Sequence, residues 1–254
     1  MLTLDMKNRT VMITGGTGLL GRELAMKFAE CNADVIIHYN KNEMKAKEIE
    51  KAIKNMGKNA FVVQGDITKE ESVQDMHKNI KENFKMPNII VNNAIIQYTW
   101  KEVLDQEISD YYSQFESCVM QMVYMTKNFA PYMKDNRWGR IICINSECAA
   151  TAEVRFSAYT SAKKGLDGIV KVLAKELGPF GITVNQVAPG RLVRDKETES
   201  DKLLQKEYEL SVPLKRRGTV DEVANMVVFL SSDLASFTTG AYIPVCGGRT
   251  MLGI

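Results

Sequence analysis

Only two histidines, His38 and His77, occur in 254 residues, and they stand far apart. The five cysteines, Cys31, Cys118, Cys143, Cys148 and Cys246, are odd in number and contain no C-x-x-C pair. Ligands this few and this scattered do not complete a zinc site, and an odd, unpatterned set argues against a disulfide framework. Each thiol reads as a small buried hydrophobe, and no metal is expected. Long apolar runs are missing too. None approaches the eighteen or so residues that span a bilayer, and the opening MLTLDMKNRT lacks the apolar core of a secretion signal, so a cytoplasmic protein without a membrane partner is expected. Nor is there an excess of one charge. The 33 basic and 31 acidic residues are interspersed and leave a formal charge of +2, which provides no basic stripe for nucleic acid.

What remains is ordinary for a folded globular chain: 45% hydrophobic and 25% charged residues, with no repeat, low-complexity tract or linker. The length suits one domain spanning 1–254. Short β-branched runs at 10–14, 34–39, 60–64, 88–92, 140–145, 182–188 and 241–245 read as strands. Between them, helical periodicity covers 19–30, 43–56, 157–177 and 220–230, and also 101–134 with a break near Ser109–Asp110. Thr68 with Glu71 reads as a capping box for a further helix, and 191–212 as a charged flap. Strict alternation with near-continuous apolar strands predicts an α/β fold. Its form is a Rossmann-type, doubly wound parallel sheet of about seven strands, with helices on both faces and ligands beyond the C-terminal strand ends.

Directly after the first strand comes Thr14-Gly15-Gly16-Thr17-Gly18-Leu19-Leu20-Gly21, opening a helix. A dinucleotide needs this arrangement. Gly15 takes the tight turn, Gly18 lets the backbone approach a pyrophosphate, and Gly21 permits close helix packing, while free N–H groups at the helix start favour an anion. At the end of the second strand no acid is present to accept from the ribose hydroxyls of NAD; Asn40 and Lys41 stand there instead and suit a 2′-phosphate, so NADP is expected over NAD. Tyr159 and Lys163 lie four apart on a predicted helix, hence on one face, with Ser146 thirteen positions before Tyr159 at the end of the fifth strand. A phenol is a poor acid–base catalyst at neutral pH, and a neighbouring ammonium lowers its pKa.

From Thr14 to Gly248 the chain resembles the short-chain dehydrogenase/reductase superfamily, most of all its 3-oxoacyl-carrier-protein-reductase-like members. The resemblance implies an NADP(H)-dependent enzyme transferring hydride between nicotinamide and a ketone, oxoacyl or alcohol substrate. Tyr159 would pass the proton, Ser146 would hold the carbonyl oxygen, and Lys163 would bind the nicotinamide ribose. It further implies that Thr17, Leu19 and Leu20 flank the pyrophosphate with Gly15 and Gly18. Asp66 and Ile67 would meet the adenine, Asn92 and Ala94 the nicotinamide ribose, and Pro189, Gly190 and Leu192 the nicotinamide. In the glycine turn Leu19 stands where the family commonly has a glycine, with Gly18 one place earlier, and three further positions depart from the family pattern. Ile95 replaces a glycine, Arg194 replaces a threonine, and Cys118 replaces the asparagine that holds a proton-relay water. These departures motivate the alternative of an NADP(H)-binding sensor or interaction protein with impaired catalysis. The small-molecule or carrier-linked substrate aside, the expected partner is a second copy, in a homodimer or homotetramer, with Met120, Met122 and Met125 at the interface. Enoyl reduction is disfavoured because relatives that perform it usually place the lysine farther from the tyrosine.

Overall fold

Seven apolar segments, rich in Val and Ile, form the strands β1 (Thr10–Ile13), β2 (Asp34–Tyr39), β3 (Ala60–Gln64), β4 (Ile89–Asn92), β5 (Gly139–Ile144), β6 (Ile182–Pro189) and β7 (Tyr242–Val245). They pair in parallel in the order β3-β2-β1-β4-β5-β6-β7. The computed structural model describes residues 4–195 and 198–251. The helices are α1 (Leu19–Glu30), α2 (Glu43–Asn55), α3 (Glu70–Asn83), α4 (Ile108–Phe115), α5 (Gln121–Asp135), α6 (Cys148–Thr151), α7 (Ser157–Leu177), α8 (Glu199–Ser211) and α9 (Val220–Ser231).

Successive strand residues point to opposite faces, so each strand feeds two cores. Along β1, Val11 and Ile13 join Leu24 and Phe28 of α1 and Val223 and Val227 of α9. Met12 joins the opposite core, with Met76 and Ile80 of α3, Phe129 of α5 and Leu166 of α7. Burial on both faces explains why the strands carry no polar alternation. After β3 the chain crosses to the other side of β1, and this reversal opens a crevice at the C-terminal ends of β1 and β4. No helix among the described residues is long and apolar enough to cross a membrane.

Three local expectations are corrected. Thr68 and Glu71 form no capping box, because Asp66 Oδ1 accepts from both the amide (3.0 Å) and the hydroxyl (2.7 Å) of Thr68. The nearer partner wins, and α3 starts at Glu70 without a side-chain cap. The helix expected over 101–134 begins only at Ile108, with 101–107 non-helical, and is interrupted at Glu116–Met120, a single π-helical turn between α4 and α5, rather than near Ser109–Asp110. Gln121 Nε2 donates to the Ser117 carbonyl (2.6 Å) inside that turn and to the Ala94 carbonyl (3.1 Å) across the crevice, so the irregular backbone has partners. Met122 and Met125 face the sheet and are wholly buried, so they supply no subunit surface; the exposed apolar residues nearby are Ile108, Tyr112 and Phe115 of α4.

Candidate active site

The glycine turn is shaped by close backbone contact. Gly15 has φ +62°, and a Cβ on Gly21 would lie 2.2 Å from the Gly15 carbonyl oxygen. Gly18 is different: it is exposed, and a Cβ there would meet only the Gly15 oxygen, at 3.3 Å. It is the N-cap of α1 and has no side-chain cap, so the helix start stays open beside Thr17, Leu19 and Leu20. This cradle fits a pyrophosphate. Thr14 Oγ1 fastens it to β4, accepting from the amides of Asn93 (2.9 Å) and Ala94 (3.0 Å) and donating to Gln121 Oε1 (2.6 Å).

The flanking contacts are arranged along the same crevice. Asn40 and Lys41 are exposed just past β2. Ile67 is buried, and Asp66 is oriented by Thr68, whose hydrogen bonds hold its carboxyl below the usual range although burial pushes it upward. One expected contact is corrected. The Asn92 side chain, at the end of β4, turns into the core, where Nδ2 approaches Met122 Sδ (3.2 Å) and Cys143 Sγ (3.8 Å). Strand alternation puts the next residue in the crevice, so it is Asn93 that donates to the Thr14 carbonyl (2.9 Å) and the Gly15 carbonyl (3.2 Å). Ala94 lies beside them, and Ile95 avoids the left-handed backbone that a glycine would permit.

Ser146, Tyr159 and Lys163 are brought together at the end of β5. The Ser146 hydroxyl accepts from the Cys148 amide (3.2 Å) and lines the same cavity as the Tyr159 phenol. Lys163, buried, donates from Nζ to the Ile144 carbonyl (2.6 Å) and lies 5.5 Å from the centroid of the Tyr159 ring. Burial raises the phenol pKa and outweighs the downward pull of Lys163 and Ser146, so Tyr159 is protonated at neutral pH. That corrects the expectation of a lowered value. Burial alone would lower Lys163, yet its pKa is raised on balance, and with Nζ held by the Ile144 carbonyl the ammonium persists.

Cys118 sits in the π-helical turn and is buried. A thiol holds water poorly. Cys118→Asn is expected to raise kcat by about fivefold, the value of about one hydrogen bond near 1 kcal/mol, in steady-state reduction assays. An unchanged or lower kcat would remove the relay argument.

Ser146 and Tyr159 open onto a cavity of about 670 Å³. Trp100, Phe156 and Tyr159 form an aromatic wall, with ring centroids 4.3 Å apart for the first pair and 6.3 Å for the second. Pro189 and Gly190 close the floor at the end of β6, and Leu192 pairs with Gly218 at the rim. A Cβ on Gly190 would come within 2.4 Å of the Tyr208 hydroxyl. Arg191 and Arg194 also line the rim. Two charged residues that sequence reasoning missed lie here. Arg249 donates to Glu147 (3.1 Å) and Glu153 (2.6 Å), and Glu147 is buried beside Ser146. A pair 102 positions apart carries no local signal.

Comparison with known proteins gives consistent matches. The family described as "Enoyl-(Acyl carrier protein) reductase" matches residues 18–250. The 3-oxoacyl-[acyl-carrier-protein] reductase of Aquifex aeolicus is 34% identical over 248 residues, spanning 97% of this chain and 99% of that protein. Its Staphylococcus epidermidis counterpart is 31% identical over 254 residues, spanning 96% and 100% respectively. The solved gluconate 5-dehydrogenase of Burkholderia cenocepacia, in complex with NADP and tartrate, superposes with a TM-score of 0.90 at 25% identity over 98% of both chains.

Proposed function

The chain belongs to the short-chain dehydrogenase/reductase family, and from that premise we propose that it is an NADP(H)-dependent oxidoreductase acting on a ketone or oxoacyl carbonyl, or on the corresponding alcohol. The observation that carries the reading is the convergence of Ser146, Tyr159 and Lys163 beside an open glycine cradle. The nicotinamide, when bound, supplies or accepts the hydride. Ser146 orients the carbonyl oxygen, and Tyr159, a neutral phenol, donates the proton to it. Lys163, a buried ammonium anchored on the Ile144 carbonyl, stabilises the phenolate left behind. The tyrosine–lysine spacing of four favours carbonyl over enoyl reduction.

The relatives act on carrier-linked oxoacyl groups by their names, and an apolar, aromatic cavity rimmed by Arg191 and Arg194 suits such a substrate or a small anionic ketone. Ile108, Tyr112 and Phe115, spaced along one face of α4, offer the surface for a homodimer or homotetramer. The cofactor preference rests on Asn40 and Lys41, which replace the acid an NAD enzyme uses. NADPH is expected to exceed NADH in kcat/KM by about tenfold or more, and Lys41→Glu to erase that ratio, since one charge-assisted contact to a phosphate is at stake. A preference for NADH overturns the assignment. Oxidation of NADPH by a panel of ketones and oxoacyl thioesters tests the activity, and NADPH binding without any turnover would favour the sensor reading.

A further inference from the structure

His38 is the penultimate residue of β2 and is 1% exposed. Its main-chain carbonyl accepts from the Gly16 amide (2.8 Å), and its ring does more. Nδ1 lies 3.0 Å from the Gly15 amide nitrogen, and Nε2 lies 3.0 Å from the Gly65 carbonyl oxygen. An amide only donates and a carbonyl only accepts. Nδ1 must therefore carry the lone pair and Nε2 the proton, which leaves a neutral imidazole of one tautomer.

The two groups it joins belong to different turns. Gly15 leads the glycine turn after β1, at a positive φ and already out of the β ladder, so its amide has no strand to donate to. Gly65 opens the turn after β3 that carries Asp66 and Ile67. Two and three residues beyond His38 come Asn40 and Lys41. One ring thus ties together the three strand ends assigned to the pyrophosphate, the adenine and the 2′-phosphate.

We propose that His38 is a positioning residue for the cofactor: its ring fixes the spacing between the glycine turn and the adenine-side turn, so that it sets NADPH affinity without touching the reacting atoms. The inference rests on the NADP(H) reading above. Of the charged groups around the ring, Asp66, from the β3 turn, acts on it; the β1 side presents the Gly15 backbone amide. Burial pushes the imidazole pKa down to about 4, so the brace survives throughout the neutral range.

The test separates positioning from mere packing. His38→Phe keeps a planar ring and removes both hydrogen bonds; the NADPH dissociation constant is expected to rise about tenfold or more while kcat at saturating NADPH stays within about threefold. His38→Asn places Oδ1 near the Nδ1 position and restores the acceptor for the Gly15 amide, so it is expected to bind NADPH about threefold or more tighter than His38→Phe. Unchanged affinity in His38→Phe, no recovery in His38→Asn, or a loss confined to kcat overturns the proposal. Should His38→Phe fail to fold, ¹⁵N shifts of the parent protein decide, because only two histidines are present. A neutral Nε2–H ring persisting to about pH 5 supports the brace, and an imidazolium or Nδ1–H ring at pH 7 overturns it. Failure of the parent to bind NADPH would overturn the cofactor reading as well, whereas binding indifferent to His38 overturns this proposal alone.

Discussion

Tyr159→Phe is expected to lower kcat by about 10³-fold or more while NADPH affinity stays within about threefold, because the change deletes the proton donor and nothing else. The ring keeps its packing against Phe156, and Lys163 keeps its bond to the Ile144 carbonyl, so neither a cavity nor an unpaired ammonium is created. The pH dependence follows from the direction of the shift. Burial raises the Tyr159 pKa above that of an ordinary phenol, so the donor form is present through neutral pH and is lost as pH rises through that value, above about pH 10. Carbonyl reduction should therefore be flat near neutrality and fall at high pH, while alcohol oxidation, which needs phenolate, should gain with rising pH. Steady-state rates in both directions and a fluorescence titration with NADPH check this. Retention of a tenth of the parent kcat would sink the assignment of Tyr159.

The second large effect is expected at Gly21. In Gly21→Ala the new methyl would stand 2.2 Å from the Gly15 oxygen and 2.9 Å from Gly16 Cα. Both are backbone atoms, so the turn itself must shift. Overpacking of this kind costs about 2–3 kcal/mol, a fall in Tm of about 5–10 °C for a chain this size, and the displaced turn should weaken NADPH binding about a hundredfold. Gly18→Ala is the control, since its Cβ meets only one atom, at 3.3 Å. It should leave Tm unchanged and still weaken NADPH binding, because the methyl would occupy the open helix start. Thermal melts paired with NADPH titrations of both variants separate fold from site. A Gly21→Ala protein with parental Tm and affinity would contradict the close-contact account.

The grouping of Ser146, Tyr159 and Lys163 was legible because its signal is short-range. Four residues along a helix fix a common face for Tyr159 and Lys163, and a strand end fixes Ser146 nearby. Strand boundaries at 34–39 and 60–64 coincide with the structure because strands buried on both faces leave unbroken β-branched runs. The same local logic misplaced the helix interruption and the Thr68 cap. At Glu116–Met120 the deciding partner is Gln121, bonded across the crevice to Ala94, and at Thr68 it is Asp66. Which of Asn92 and Asn93 faces the crevice depended on the phase of β4 against the two cores, which the motif N-N-A-I leaves open.

Residue type and spacing alone settled the parallel α/β layering, the glycine turn and the shared face of Tyr159 and Lys163, because each depends on periodicity or on neighbours within a turn or two. Tertiary packing alone decided that Tyr159 is held neutral rather than acidified, that Arg249 pairs with Glu147, and that His38 bridges two turns. Desolvation and hydrogen-bond partnership are properties of position in space. Groups far apart along the chain become partners only once the sheet has set the strand ends side by side.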